Sequence, residues 1–207
     1  MQIPALPVPY LWYNNPQYLN EGEMAMEVQD IFNNLPALET ERLQLRKVKS
    51  TDVQAIYAYG SDAEVSRFVT WERHESLQDT EAFLNFVLGK YEKGEVAPWA
   101  IEYKPTRQMI GTVDFVNWKP AGRVAEIGYV LHRDYWGKGI MTEAVKRVIQ
   151  FGFEQMNLVR IEAVCLPENT GSYRVMEKSG LQYEGTLRKA RVIKGQNQDI
   201  KMYAIIR

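Results

Sequence analysis

The stretch that decides the fold reads His132-Arg133-Asp134-Tyr135-Trp136-Gly137-Lys138-Gly139-Ile140-Met141-Thr142-Glu143-Ala144. An alternating, strand-like run at 124–131 leads into it, and a strongly amphipathic helical run at 140–153 follows it. A strand that passes through glycines into a helix leaves the first backbone N–H groups of that helix unpaired. Those donors and the positive end of the helix dipole attract anions. The sequence therefore predicts a phosphate or pyrophosphate cradle at residues 136–141.

The elements around the cradle indicate an α/β or α+β domain with a mixed sheet. Before the cradle, strand-like alternation also marks residues 42–48, 97–103 and 109–116, and the short turns after 103 and 116 predict an antiparallel meander. Two helices are expected before the meander, after the capping residues at 50–52 and at Ser76. After the cradle helix we expect a strand at 160–165, a helix from Asn169 to Lys178 ended by Gly180, and a strand pair at 181–187 and 199–206.

Composition narrows the class of protein. The 207 residues, 45% hydrophobic and 25% charged, suit one globular domain with room for an appendage. A formal net charge of −1 gives no global signal for a nucleic acid or membrane partner. The chain lacks an 18-residue apolar run and a recognisable secretory signal, and its lone Cys165 suits a reducing compartment, so we expect a cytoplasmic protein. Two histidines and one cysteine offer no ligand cluster, so no metal site is expected.

The first 37 residues differ from the remainder. They are rich in proline and aromatic residues, with a short helix expected at 22–32, and we interpret residues 1–37 as an arm preceding a main domain at 38–207. A stretch with this many aromatic residues is expected to pack, either on its own domain or on a second subunit as in a homodimer.

The order of these elements, together with four short motifs, resembles the GNAT acyl-CoA N-acetyltransferases, nearest the Rim-type branch of ribosomal-protein N-terminal acetyltransferases. The resemblance covers residues 38–206 and is carried by Leu38-Glu39-Thr40-Glu41-Arg42-Leu43, Ala125-Glu126-Ile127-Gly128-Tyr129, residues 136–144, and Asn169-Thr170-Gly171-Ser172 leading to Glu177-Lys178-Ser179-Gly180-Leu181. It implies a central mixed, mostly antiparallel twisted sheet of about six or seven strands flanked by helices. It also implies acetyl-CoA as co-substrate and a primary amine, such as a protein N-terminal α-amine, as acceptor.

The resemblance further implies which residues bind acetyl-CoA. The glycine turn would hold the pyrophosphate through backbone amides, the backbone at the end of the preceding strand would bind the acetyl oxygen, and the Asn169 region would contact the pantetheine arm. The residues so implied are Tyr129, Val130, Leu131, Trp136, Gly137, Lys138, Gly139, Ile140, Met141, Thr142, Asn169 and Ser172. Trp136 and Met141 depart from the broad family motif, which has Gln or Arg and then Gly or Ala at those places.

Forming an amide from an amine and a thioester requires a proton acceptor for the amine and benefits from an acid for the departing thiolate. Glu126 is the first candidate base, although a strand carboxylate of this kind is equally well an ion-paired or solvated group. Asp114 on the preceding strand is a second candidate acting through water, and a water relay without one essential base is a third possibility. Met176 occupies the place of the usual family tyrosine, and the Rim-type resemblance instead implies Ser172 as the acid, against a purely capping role.

Three functions stay open at this point. A protein acceptor predicts an open groove, whereas a small amine such as an antibiotic or polyamine predicts a closed, acid-lined pocket. Arg191, at the place where some Rim-type enzymes are thought to have a glutamate, and the missing tyrosine leave room for a non-catalytic CoA-binding module.

Overall fold

The computed structural model describes residues 27–207. Its helices are α1 (Val28–Phe32), α2 (Val53–Gly60), α3 (Ala63–Ser66), α4 (Leu77–Glu92), α5 (Ile140–Glu154) and α6 (Thr170–Lys178). Its strands are β1 (Leu38–Glu39), β2 (Leu43–Lys47), β3 (Trp99–Tyr103), β4 (Gln108–Lys119), β5 (Val124–Leu131), β6 (Arg160–Cys165), β7 (Gln182–Ile193) and β8 (Gln196–Ile206). None of the described helices has the length and apolar character needed to cross a membrane.

One sheet contains all eight described strands, in the order β1-β2-β3-β4-β5-β6-β8-β7. Every neighbouring pair is antiparallel except β5 with β6, which confirms the mixed, mostly antiparallel sheet and the β3-β4-β5 meander. The sequence predicts six or seven strands. The eighth is β1, whose two residues pair with β2 and are too few to show an alternating pattern.

The sheet splits between its two parallel strands. β5 and β6 pair only at their starts, where Val124–Glu126 lie opposite Arg160–Glu162. Beyond Glu126, β5 continues to Leu131 and β6 continues to Cys165 without pairing to each other. The edge of β5 at 127–131 that faces β6 is therefore free of strand hydrogen bonds. This split opens a cleft in the middle of the sheet.

Two hydrophobic cores cover the two faces of the sheet. The larger contains the buried face of α5 together with inward residues of β5 such as Ala125, Ile127 and Leu131. The smaller lies under α2 and α4, and Val130 packs against it. Because successive strand residues point to opposite faces, Glu126 and Gly128 share the α2–α4 face with Val130. The strand alternation thus sends odd-numbered β5 residues toward α5 and α6 and even-numbered residues toward α2 and α4.

The described end of the predicted arm is part of the larger core. Phe32 is fully buried, with ring centroids 6.5 Å from Trp99 and 6.2 Å from Trp118, and Trp99 Nε1 donates a 2.7 Å hydrogen bond to Pro36 O. Residues 1–26, including most of the aromatic stretch and the start of the helix expected at 22–32, lie outside the described residues. The arm boundary at residue 37 and the homodimer stay predictions.

Candidate active site

The glycine turn has the backbone geometry expected of an anion cradle. Gly137 and Gly139 both have φ of +72°, a left-handed conformation that favours glycine. Gly139 is the N-cap of α5 and offers no side chain to the helix. Within residues 27–207, none of the backbone N–H groups at 137–142 donates a hydrogen bond to the protein. The turn therefore presents a run of free donors at a helix N-terminus, and binding of a diphosphate there stays a prediction.

An ion pair between the two halves of the domain holds this turn in place. Arg42 Nε lies 2.6 Å from Glu143 Oε2 in the first turn of α5, and Arg42 Nη1 donates to Lys138 O at 3.0 Å. The hydroxyl of Thr40 donates to Glu143 Oε1 at 2.5 Å. Partial burial acts to raise the pKa of Glu143, but the hydrogen bonds from Thr40 and Arg42 outweigh it and hold that pKa below its usual value. The motif at 38–43 thus holds the cradle in place through the side chains of Thr40 and Arg42.

We expect Arg42→Met to raise the dissociation constant for CoA about 5- to 30-fold. Without the guanidinium, the partly buried carboxylate of Glu143 keeps its negative charge beside the anion site and has no cation to compensate it. We expect this to cost about 1–2 kcal/mol of the free energy of CoA binding. Isothermal titration calorimetry with CoA measures the effect. Lys146→Met, which removes an exposed cation from the same helix, is the matched control and should change the affinity less than twofold. Equal affinities for the two variants would contradict the bracing role of Arg42.

The side chains next to the cradle mostly serve the fold. The indole Nε1 of Trp136 donates to Leu131 O at 2.8 Å, so this N–H ties the turn to the end of β5. The side chains of Leu131, Ile140 and Met141 are buried in the core. These predicted binding residues can therefore contribute backbone groups but little polar side-chain contact.

A hydroxyl pair links β5 to the start of α6. Asn169 caps the helix as predicted, with its Oδ1 accepting from Ser172 N at 3.1 Å. The Ser172 hydroxyl does not add to this cap but lies 3.0 Å from Tyr129 Oη, which is also 3.0 Å from Ser172 O. Burial raises the pKa of Tyr129 above its usual value, so the phenol stays protonated. One feature of the sequence pointed toward this pair. The alternation along β5 places Tyr129 on the opposite face of the strand from Glu126.

A cavity of about 670 Å³ fills the split between β5 and β6 and reaches both faces of the sheet. We call its two ends the α6 side and the α4 side. The α6 side is lined by Tyr129, Cys165, Asn169, Ser172 and Met176. The α4 side is lined chiefly by Tyr59, Phe68, Trp71, His74, Phe83, Phe86, Lys90, Thr112, Asp114, Val116, Glu126 and Arg191. The predicted Glu126 and Ser172 thus lie in one cavity, at its opposite ends.

The two candidate carboxylates have different surroundings. Glu126 is buried and forms an ion pair with Arg191, the residue that stands at the place of a Rim-type glutamate. Asp114 lies opposite Gly128 on β5, and its carboxylate has no hydrogen bond or ion pair to any residue within 27–207. Burial raises the pKa of Asp114 to about 7, and the positive charge of Lys90 offsets this only in part. Either carboxylate remains a candidate base.

Burial also affects two other titratable groups of the cavity, His74 and Cys165, and favours the uncharged form of each. Burial lowers the pKa of His74, whose Nδ1 lies 2.8 Å from Thr80 Oγ1 and whose ring packs beside Trp71 and Phe83. Burial raises the pKa of Cys165 to about 11, which keeps it a thiol, as expected of a buried strand cysteine. Among residues 27–207, no three metal-binding side chains come together.

Comparison with known proteins adds to this geometry. The family profile of the acetyltransferase (GNAT) domain matches residues 42–182. The chain is similar to the uncharacterized N-acetyltransferase YoaA of Bacillus subtilis (strain 168), with 34% identity over 83% of this chain and 97% of YoaA. It is also similar to the ribosomal-protein-serine acetyltransferase of Escherichia coli (strain K12), with 25% identity over 81% of this chain and 94% of that enzyme. A solved structure of a GNAT-family acetyltransferase from Bacillus anthracis superposes with a TM-score of 0.73, at 32% identity over 83% and 98% of the two chains.

Proposed function

The chain belongs to the acetyltransferase (GNAT) family of acyltransferase enzymes, and from this premise we propose that it transfers an acetyl group from acetyl-CoA to a primary amine by direct attack in a ternary complex. The observation that carries this proposal is the cavity through the split sheet. Its α6 side lies along β5, the strand that leads into the glycine turn, its α4 side is lined by aromatic residues and carboxylates, and the two sides meet at β5. Two substrates can therefore bind at once and meet without a covalent enzyme intermediate.

The glycine turn and the free edge of β5 fit the coenzyme. The free N–H groups at 137–142 suit a diphosphate, and the unpaired edge of β5 at 127–131 suits an amide-bearing chain. When bound, acetyl-CoA supplies the acetyl group as an activated thioester. The amine carries out the attack on the thioester, and the side chains of the cavity carry out the proton transfers.

In the proposed reaction the amine nitrogen forms a bond to the thioester carbonyl carbon as the C–S bond breaks. The nitrogen loses one proton and the thiolate gains one, so the products are an N-acetyl amide and CoA thiol. We propose that Glu126, directly or through water, receives the proton on the α4 side. On the α6 side we propose that the Ser172 hydroxyl, oriented by Tyr129, supplies the proton to the sulfur.

We expect Glu126→Gln and Ser172→Ala each to lower turnover about 10²-fold, because each removes one proton-transfer group. Release of CoA thiol from acetyl-CoA and a panel of amines measures turnover, and calorimetry of Glu126→Gln should show CoA affinity changed less than twofold. Glu81→Gln, which removes an exposed carboxylate on α4, is the control for loss of one negative charge. An unchanged rate for either site variant would remove that residue from the mechanism.

We propose a protein N-terminal α-amine as the first acceptor to test, in the cytoplasm where acetyl-CoA and nascent chains coexist. Support comes from the Rim-type motifs and from the similarity to the Escherichia coli enzyme, which is named for a ribosomal protein. A contact that partly covers the α4 side favours the second candidate, a small amine. Lys194 lies in the turn between β7 and β8, and its Nζ donates a hydrogen bond to Ser66 O at 2.8 Å. This bond holds the β7–β8 hairpin against the segment that follows α3.

Peptides with free N-termini, the same peptides blocked at the N-terminus, and small amines separate these candidates. Faster turnover of free peptides than of small amines supports the protein acceptor, and the opposite order supports the small one. CoA binding without thiol release from any amine would instead support the non-catalytic module.

A further inference from the structure

Two cations and two carboxylates of the described chain line the α4 side. Among the described residues the charged groups of the cavity are Lys90, Asp114, Glu126 and Arg191. Glu126 is paired with Arg191, and Lys90 Nζ donates to Val96 O at 3.0 Å. His74 stays neutral near pH 7, because burial disfavours its charged form. Asp114 is thus the one carboxylate of this lining, within residues 27–207, that has no ion-pair partner.

Two hydroxyl groups share the chamber with the Asp114 carboxylate. The Tyr59 side chain is only 2% exposed, and its Oη finds no hydrogen-bond partner among residues 27–207. Thr112 lies on the same face of β4 as Asp114, and its side chain is close to Tyr59 without the geometry of a hydrogen bond. A buried phenol without a partner normally indicates a missing water or ligand. A primary ammonium has three N–H donors, and this group of oxygens offers three acceptors.

The rest of the chamber is apolar. Trp71, Phe83 and Phe86 line it from the helical side, and Val116 lines it from β4. Phe86 is 61% exposed and Val116 is 52% exposed, so these two apolar side chains of the wall are open to a ligand from solvent. The wall therefore suits a hydrocarbon or aromatic body attached to the amine.

We propose that the acceptor is a monoamine with an apolar body, its single ammonium group held by Asp114 and its body lying against Trp71, Phe83 and Phe86. This inference rests on the proposed acetyl transfer and narrows its substrate class. A second ammonium group would meet no free carboxylate in the lining and would face Lys90 or Arg191, so polyamines and polycationic antibiotics are disfavoured. The same chemistry is found in a free alkyl or arylalkyl amine and in a peptide that begins with a large apolar residue.

The test compares acceptors that differ by one charge, using the full chain and saturating acetyl-CoA. Hexylamine is paired with 1,6-diaminohexane, and a Phe-Gly-Gly amide peptide is paired with Lys-Gly-Gly amide. In each pair the monoamine should have a kcat/KM about 30-fold or more above that of its dicationic partner. Larger kcat/KM values for the hexylamine pair identify a small molecule as the source of the amine, and larger values for the peptide pair identify a peptide N-terminus.

Asp114→Asn should raise the KM for hexylamine about 30-fold while the dissociation constant for CoA changes less than twofold. Tyr59→Phe should raise that KM about fivefold, and Glu81→Gln should leave it unchanged. Equal use of mono- and diamines, or an unchanged KM in Asp114→Asn, overturns the inference. CoA binding with no turnover of any monoamine also overturns it but leaves the coenzyme site standing. If calorimetry detects no CoA binding, the proposed function itself fails.

Discussion

Gly139→Asp should weaken CoA binding about 10³-fold, while Gly139→Asn should weaken it less than tenfold. Gly139 has φ of +72°, a conformation that both Asp and Asn adopt more readily than other residues with a side chain. A Cβ at this position would meet only Arg42 Nη2, at 3.7 Å, so either side chain fits. The two variants therefore share backbone and bulk and differ in charge alone.

The new carboxylate would act on the coenzyme in two ways. It would repel a diphosphate held by the N–H groups at 137–142, and it would attract the Arg42 guanidinium, which lies next to Gly139. One charge pair at about 5 Å near a protein surface amounts to about 3 kcal/mol, and the diphosphate carries two charges, so a net loss of about 4 kcal/mol is reasonable after screening.

Calorimetry with CoA at low and high salt provides the measurement. The gap between the Asp and Asn variants should shrink in 0.5 M salt, which reduces the screening length to about 4 Å. Thermal unfolding of both variants checks that the fold is intact. If both variants bind CoA with similar affinity at low salt, the phosphates bind elsewhere and the cradle assignment is wrong.

The backbone around the cradle could be predicted because local patterns determine it. β5 and β6 occupy the predicted residues 124–131 and 160–165, and α5 begins at Ile140 as expected, since strand alternation, left-handed glycines and an amphipathic run all agree over a short stretch. β7 shows the limit of such patterns. The sequence predicts residues 181–187, but the strand runs from Gln182 to Ile193. Its register shifts after Leu187, and Lys189 has φ of +52°, so the alternation that would mark the strand is lost.

The electrostatic state of the site could not be predicted, because it depends on contacts between distant parts of the chain. Arg191 reaches Glu126 across 65 positions of sequence, by way of the irregular part of β7. Local alternation places Glu126 and Asp114 on the same face of the sheet and gives no reason to prefer one as the unpaired carboxylate. The Tyr129–Ser172 contact likewise joins two elements whose approach depends on how α6 packs on the split sheet.

Asp114→Asn should stabilise the protein by about 3 kcal/mol at pH 8 and by almost nothing at pH 4. The folded-state pKa of Asp114 is raised from 3.8 to about 7, so the folded state binds more protons than the unfolded state between these values. The unfolding free energy of the wild-type protein therefore falls as pH rises from about 4 to about 7, and the neutral amide removes this contribution. The full shift corresponds to about 4 kcal/mol, and the water-accessible cavity beside the half-buried carboxylate reduces it.

Urea unfolding of wild type, Asp114→Asn and Glu81→Gln at several pH values between 4 and 8 measures this difference. All other titrating groups are common to the three proteins, so the Asp114→Asn minus wild-type difference should grow through this range while the Glu81→Gln difference stays flat. A constant difference would mean that the Asp114 carboxylate is well solvated and is not poised to bind an ammonium. A growing difference, combined with the loss of amine affinity expected of the same variant, would show that the chain retains a destabilising charge because the acceptor amine compensates it when bound.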